Sequence, residues 1–118
     1  MTEPRTPAQL ADEAADAIRA LNHATLSARD GWQYLGDAYS TVAGLARTVG
    51  MIPQALDQIG ALIEQLDIGG KLRSDKDTLG TDLDNTYGGL ADANDAAKKL
   101  YEALDRAHQA LGSVAYKE

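Results

Sequence analysis

The sequence contains no cysteine and no phenylalanine, and it is poor in the residue types that favour strands. Without cysteine, disulfide frameworks, thiol catalysis and cysteine-ligated zinc are all excluded. One tryptophan, five tyrosines, five isoleucines and three valines stand against 21 alanines and 15 leucines in the 118 residues. Because alanine and leucine are among the best helix formers, the composition predicts an all-α protein.

Long apolar runs are missing as well. No stretch approaches the run of about 18 apolar residues that spans a bilayer. The N-terminal segment 1–10 lacks the basic and apolar regions of a secretory signal peptide. We therefore expect a cytoplasmic protein that does not enter a membrane.

Positive charge is in the minority, since 11 lysines and arginines stand against 18 acidic residues and give a net charge of −7. A protein that binds duplex DNA needs a basic face to displace counterions from the phosphates. An anionic membrane surface repels an acidic protein for the same electrostatic reason. Direct binding to nucleic acid or to a membrane is thus disfavoured. The acidity fits an ordinary surface, or an inhibitor that mimics nucleic acid and binds a basic partner.

The first predicted helix spans residues 7–27. Thr6 can cap it, Pro7 stands at the first helical position, where no backbone donor is needed, and Gln9 can complete a capping box. Two turn-prone pairs of aspartate and glycine near residues 28–36 favour a break after this helix. The apolar spacing on its own also allows one unbroken helix through this segment, so both interpretations stay open.

Two shorter helices are predicted next. Asp37 would cap a helix over 37–49, Gly50 would end it, and Pro53 would open a third helix that stops at Gly69–Gly70. The third helix has an apolar stripe that we expect to face the core: Leu56, Ile59, Ile63 and Leu66.

The fourth predicted helix is the longest, at about 75–115, with a box-like cap at 74–77 and a heptad pattern sustained over 79–114. We predict a bundle of three to four helices in which this helix is the long spine. It forms a single domain over 6–118 behind a flexible tail at 1–5. Many alanines in the heptad seam imply a thin core, so we also expect a homodimer that pairs the long helices.

Residues suited to catalysis or metal binding are scarce. His23 and His108 are the only histidines, and we expect both to be surface residues, since Asp105 and His108 form just one carboxylate–histidine pair at metal-binding spacing. Residues 75–80 resemble the opening of a calcium loop, but Thr86 stands where the bidentate glutamate belongs. We therefore predict no catalytic residues, no cofactor, no metal site and no enzymatic activity.

Three of the six aromatic residues lie close together, namely Trp32, Tyr34 and Tyr39. Exposed tryptophan and tyrosine dominate many protein-binding hot spots, so these residues are the candidate partner-binding site. The alternative is that they fill the end of the bundle where the helices diverge.

Four short segments spread along the chain carry a family resemblance: ALNHATL at 20–26, YLGDAYS at 34–40, IPQALDQI at 52–59 and AHQALGSVAY at 107–116. On these segments the chain resembles small all-helical proteins of Streptomyces and related actinomycetes, commonly encoded near mobile-element or conjugation genes. Leu35 departs from them, because they tend to have proline there. That family has no assigned activity, so the resemblance implies a genetic setting and no catalytic residues.

A second resemblance concerns an export signal. Tyr101 and Asp105 have the tyrosine-x-x-x-acid spacing that is similar to the signal of the Trp-X-Gly family of type VII secreted proteins. Those proteins are small, acidic, cysteine-free helical hairpins. Here Trp32 is followed by Gln33 and Tyr34, so the glycine that defines the family is missing.

Together these observations predict a non-enzymatic protein–protein interaction module. Its role would be that of an adaptor or assembly factor of a mobile-element or DNA-transfer system. One alternative is a type VII secreted helical-hairpin protein, exported without a signal peptide. The other is an acidic, nucleic-acid-mimicking inhibitor of a basic partner.

Overall fold

The computed structural model describes residues 3–26 and 34–117, and this part of the chain is helical and contains no strand. Its three helices are α1 (Pro7–Ala24), α2 (Leu35–Ile68) and α3 (Leu79–Leu111). The all-α prediction is confirmed. The chain divides into two compact units, Met1–Ala38 and Tyr39–Glu118, which are described separately below. A single domain over 6–118 stays a prediction.

The first unit contains α1, which begins where the sequence predicts. The Gln9 backbone N–H donates to Thr6 Oγ1 (3.1 Å), and the Thr6 backbone N–H donates to Gln9 Oε1 (2.8 Å), so the capping box is complete. Pro7 stands at the first helical position. The helix ends at Ala24, where the Thr25 hydroxyl donates to the Leu21 carbonyl (2.9 Å). None of its residues is buried.

The prediction of two separate helices on either side of Gly50 and Pro53 is wrong, because α2 continues through both residues as one helix of 34 residues. Proline has no N–H and so removes one helical hydrogen bond. Contacts with α3 offset this cost: the Pro53 carbonyl accepts a hydrogen bond from Asn94 Nδ2 (3.4 Å), and the Tyr101 ring covers Gly50. Packing against a neighbouring helix thus overrides two local helix breakers.

The start of α2 also differs from the prediction. Asp37 is not the cap but lies in the first turn of the helix. Its Oδ2 accepts a hydrogen bond from the Tyr34 backbone N–H (3.1 Å), which is a free donor at a helix start. The carboxylate therefore stabilises the helix start from within the first turn.

The turn between α2 and α3 contains a left-handed glycine, as the sequence predicts. Gly70 has φ 67°, and the Lys71 backbone N–H donates to the Leu66 carbonyl (3.1 Å), which is the closure expected after a helix that ends in glycine. The predicted cap at 74–77 is wrong, because α3 begins at Leu79. The hydroxyls of Ser74 and Thr78 instead donate to the Asp82 carboxylate in the first turn of α3.

Helix α3 has 33 residues and α2 has 34, so the expected single long spine with shorter partners is not found. The two helices form an antiparallel hairpin, and pairs of residues that touch across it run in opposite order along the two helices: Tyr39 with His108, Gly50 with Tyr101, Asp57 with Asn94, and Gly60 with Leu90.

The core of this hairpin is thin. The residues buried in the described part of the chain are Ala46 and Val49 on α2 and Asn94 and Ala97 on α3. Alanine at two of these four positions lets the helices approach closely but removes little apolar area from water. Large apolar side chains consequently stay exposed along the outside of the hairpin.

Candidate protein-binding surfaces

The three aromatic residues predicted to bind a partner differ in their surroundings. Trp32 lies outside the described residues. Tyr34 precedes α2 in the first unit, and 68% of its surface is exposed. Tyr39 lies on α2 in the second unit, where its ring stacks on His108 with 4.1 Å between ring centroids and 27° between planes. Partner binding by these residues stays a prediction.

Tyr39 packs at the open end of the hairpin, where α2 begins and α3 ends. A Cβ atom at Gly112 would lie 3.3 Å from the Tyr39 ring, so the glycine makes room for it. His108, expected to be a surface residue, is half-buried beneath this ring. Tyr39 nevertheless keeps 39% of its surface exposed, which leaves one edge of the stack accessible to a partner.

The two residues of the candidate export signal lie within α3. Tyr101 packs over Gly50 of α2 and keeps 42% of its surface exposed. Asp105 is half-buried, and its Oδ2 accepts a hydrogen bond from Gln109 Nε2 (2.8 Å). Tyr101 therefore has a structural contact besides any role as a signal.

One side of the hairpin, which we name the apolar face, carries Ile52, Ile59 and Leu66 on α2 and Leu100 on α3. The three α2 residues recur every seven positions, so they lie in one row along the helix. These four side chains are 37% to 50% exposed. The prediction that Ile59 and Leu66 face the core is wrong, because a stripe of apolar residues does not show which part of it a partner helix covers.

The opposite side, the cleft face, contains two adjoining grooves between α2 and α3. The acidic cleft has a volume of about 500 Å³, and its charged lining residues are Asp57, Glu64 and Asp67. Its floor is apolar, with Leu56 and Leu90 among the lining residues. The spacing of the three acids along α2 is visible in the sequence, but the cleft that they line together with α3 is not.

Tyr87 lines the acidic cleft, and its hydroxyl is buried with no hydrogen-bond partner among the described residues. Burial raises the pKa of this phenol above its usual value of 10, and the carboxylates of Asp67 and Glu64 raise it further. At neutral pH Tyr87 is therefore a neutral donor beside acids. Asp57 also accepts a hydrogen bond from Asn94 Nδ2 (2.9 Å), which fixes its carboxylate against α3.

The second groove, the basic cleft, has a volume of about 800 Å³. Arg47 and Lys98 line it together with Glu102, and its apolar lining includes Met51 and Tyr101. Met51 is 66% exposed. Two cations against one anion give this groove the opposite sign of charge from the acidic cleft.

No group of three or more histidines, aspartates or glutamates is placed to bind a metal ion within residues 3–26 and 34–117. None of the helices in these residues combines the length and the apolar character needed to cross a membrane. Comparison with known proteins finds no matching family model, no matching curated protein and no matching solved structure.

Proposed function

We propose that this protein is a non-enzymatic protein–protein interaction module, an adaptor or assembly factor that binds an amphipathic helix of a partner along the apolar face. The mobile-element or DNA-transfer setting comes from the first resemblance. The observation that carries the proposal is the row of half-exposed apolar side chains on a hairpin with only four buried residues in its described part. A bundle of three to four helices is part of the same proposal.

The size of the apolar contribution supports binding of this kind. Burying the exposed part of an isoleucine or leucine side chain stabilises a complex by roughly 1 kcal/mol. Four such residues contribute about 4 kcal/mol, which is about half of the free energy of a micromolar complex. Anchors seven residues apart on α2 match the repeat of an amphipathic partner helix that lies along the apolar face.

The test is capture of a partner by a tagged protein and by two variants. Ile59→Glu places a charge in the middle of the apolar face, and Gln58→Glu places the same group one position away at another exposed site. We expect Gln58→Glu to retain the partner and Ile59→Glu to lose it at least tenfold, with unchanged helical content by circular dichroism. Equal capture by both variants would overturn the proposal. If Ile59→Glu, but not Gln58→Glu, strongly lowers the free energy of unfolding, another part of the chain covers the apolar face. That result would also overturn the proposal.

The same capture experiment distinguishes an adaptor from an inhibitor that mimics nucleic acid. A mimic binds a strongly basic protein, and its affinity falls steeply as salt rises, because surface charges are screened. An adaptor that uses the apolar face keeps most of its affinity in high salt. The charge of the captured protein and the salt dependence of the complex therefore decide between the two functions.

A type VII secreted protein is the second candidate, and the α2–α3 hairpin favours it, since two helices of 34 and 33 residues are joined by a connection of ten residues, 69–78. Secretion into the culture medium that depends on Tyr101 and Asp105 would support it. Asp105→Asn is the sharper variant, because Tyr101 also packs against Gly50. Export that is unchanged in Asp105→Asn would contradict this function.

A further inference from the structure

The acidic and basic clefts lie on the same side of the hairpin. On α2, Gly50, Asp57 and Glu64 line the two grooves at seven-residue spacing, and on α3 Tyr87, Ala91 and Lys98 do so at spacings of four and seven. Each series follows one side of a helix. Ile52, Ile59 and Leu66 each stand two positions after a residue of the first series, which is about 200° around the helix. The cleft face is therefore opposite the apolar face.

Charge along the cleft face is divided lengthwise. Nearer the open end of the hairpin, the basic cleft carries Arg47 and Lys98 against Glu102. Nearer the turn, the acidic cleft carries three carboxylates and no cation. A surface divided in this way complements a copy of itself that is turned end over end, since each cleft then meets the cleft of opposite sign.

We propose that a second copy of this chain docks on the cleft face, antiparallel to the first, in a two-fold symmetric dimer. In a two-fold interface every contact occurs twice. When the axis is perpendicular to the helices and passes over α2 midway between Gln54 and Asp57, Arg47 of one copy faces Glu64 of the other. Met51, which is 66% exposed, then lies over Gly60, where the absence of a side chain makes room for it.

The symmetry of the dimer follows from the charges. A two-fold axis parallel to the helices would place the acidic cleft of one copy on the acidic cleft of the other, with six carboxylates close together. Like charges placed opposite each other in an interface cost several kcal/mol. An axis perpendicular to the helices brings cations to carboxylates at both ends, so the antiparallel arrangement is favoured.

The cleft face is large enough for such an interface. It runs from Arg47 to Ile68 on α2, about 32 Å at 1.5 Å per residue, and it is two helices wide, about 20 Å. The footprint is on the order of 600 Å², near the roughly 800 Å² that each partner contributes to a stable interface of standard size. A second copy on the cleft face leaves the apolar face, on the other side of the hairpin, accessible to the partner of the proposed function.

Light scattering coupled to size-exclusion chromatography tests the dimer on the full chain. We expect a mass of twice 12.5 kDa, and dissociation that increases with salt, because the interface depends on charge pairs. Arg47→Glu and Glu64→Arg should each weaken the dimer at least tenfold. The double variant, which exchanges the two charges, should recover most of that loss, since each interface again pairs opposite charges.

Lys99→Glu is the matched control, because it reverses a charge at an exposed position of α3 beside Lys98 but outside both clefts. It should leave the dimer unchanged. A monomeric wild-type protein would overturn the inference, and so would a dimer that Ile59→Glu abolishes and Arg47→Glu does not. A monomeric wild-type protein leaves capture of a different protein by the apolar face to its own test, whereas a dimer that Ile59→Glu abolishes would place the second copy on the apolar face.

Discussion

Alanine substitutions at two helical glycines should change stability in different ways. Gly50 lies inside α2, and Gly88 lies inside α3. A Cβ atom at Gly88 would meet no atom within 4 Å, whereas one at Gly50 would lie 3.2 Å from two carbons of the Tyr101 ring. The comparison therefore isolates the effect of one tertiary contact.

The expected gain in the free energy of unfolding from Gly88→Ala has one source, because only the helix preference of the backbone changes. Glycine in a helix interior costs about 0.8–1 kcal/mol relative to alanine. Gly88→Ala should therefore raise the free energy of unfolding by nearly that amount. Gly89 follows Gly88 inside α3. A Cβ at either glycine meets nothing within 4 Å, so no close neighbour among the described residues requires glycine there.

At Gly50 the same gain is opposed by a steric cost. The Tyr101 ring must move by a few tenths of an ångström to admit the new methyl group, and overpacking of this kind typically costs about 1–3 kcal/mol. Gly50→Ala should therefore leave the free energy of unfolding unchanged or lower it by up to about 2 kcal/mol, which is the overpacking cost less the helix gain.

Urea unfolding followed by circular dichroism measures both changes, at one protein concentration because dimerisation would affect the midpoint. In a thermal melt, a change of 1 kcal/mol in the free energy of unfolding would correspond to roughly 4–8 °C in Tm for a domain of 60–100 residues. In a Tyr101→Ala background the clash is absent, so Gly50→Ala should then be stabilising. Equal gains from Gly50→Ala and Gly88→Ala in the wild-type background would refute the contact between Tyr101 and Gly50.

Three further predictions concern other contacts. Asn94→Ala should lower the free energy of unfolding by about 1–3 kcal/mol in urea unfolding, because it removes two hydrogen bonds to α2 and leaves a small cavity; an unchanged midpoint would contradict those bonds. The folded-state pKa of Tyr87 is raised, so its neutral form adds stability below pH 10 that is lost as the pH rises through the folded value. Ultraviolet titration should show a phenol that ionises above pH 10 and is missing in Tyr87→Phe, and an identical titration curve for the wild type and Tyr87→Phe at high pH would be the contrary result. Trp32→Ala should weaken partner capture with helical content unchanged, whereas a loss of helical content on circular dichroism would place Trp32 in the core instead.

Much of the fold could be predicted because local signals determine it. The capping box at Thr6 and the left-handed glycine after Ile68 depend on residues close together in the sequence, and both occur where they were expected. Gly50 and Pro53 show the limit of such reasoning. Both are helix breakers by local preference, and only contacts with Tyr101 and Asn94, more than forty residues away, keep α2 continuous.

The candidate surfaces were less predictable than the fold. An apolar stripe on a helix shows that some surface is removed from water but not which residues a neighbour covers, so Ile59 was expected in the core. The grooves are formed by residues of both helices, and the register of α2 on α3 had to be known before Glu64 and Tyr87 could be placed in one cleft.

The order of contacts along the hairpin also affects how it folds. Gly60 and Leu90, near the turn, are about 30 residues apart in the sequence, whereas Tyr39 and His108 at the open end are about 70 apart. Closing the longer loop first would cost about 0.7 kcal/mol more in chain entropy. Contacts between α2 and α3 should therefore form first near the turn and then progressively toward the open end. Amide hydrogen exchange should be slowest near Leu90 and fastest near His108. The Tyr39–His108 stack would then be the last contact to form and the first to open.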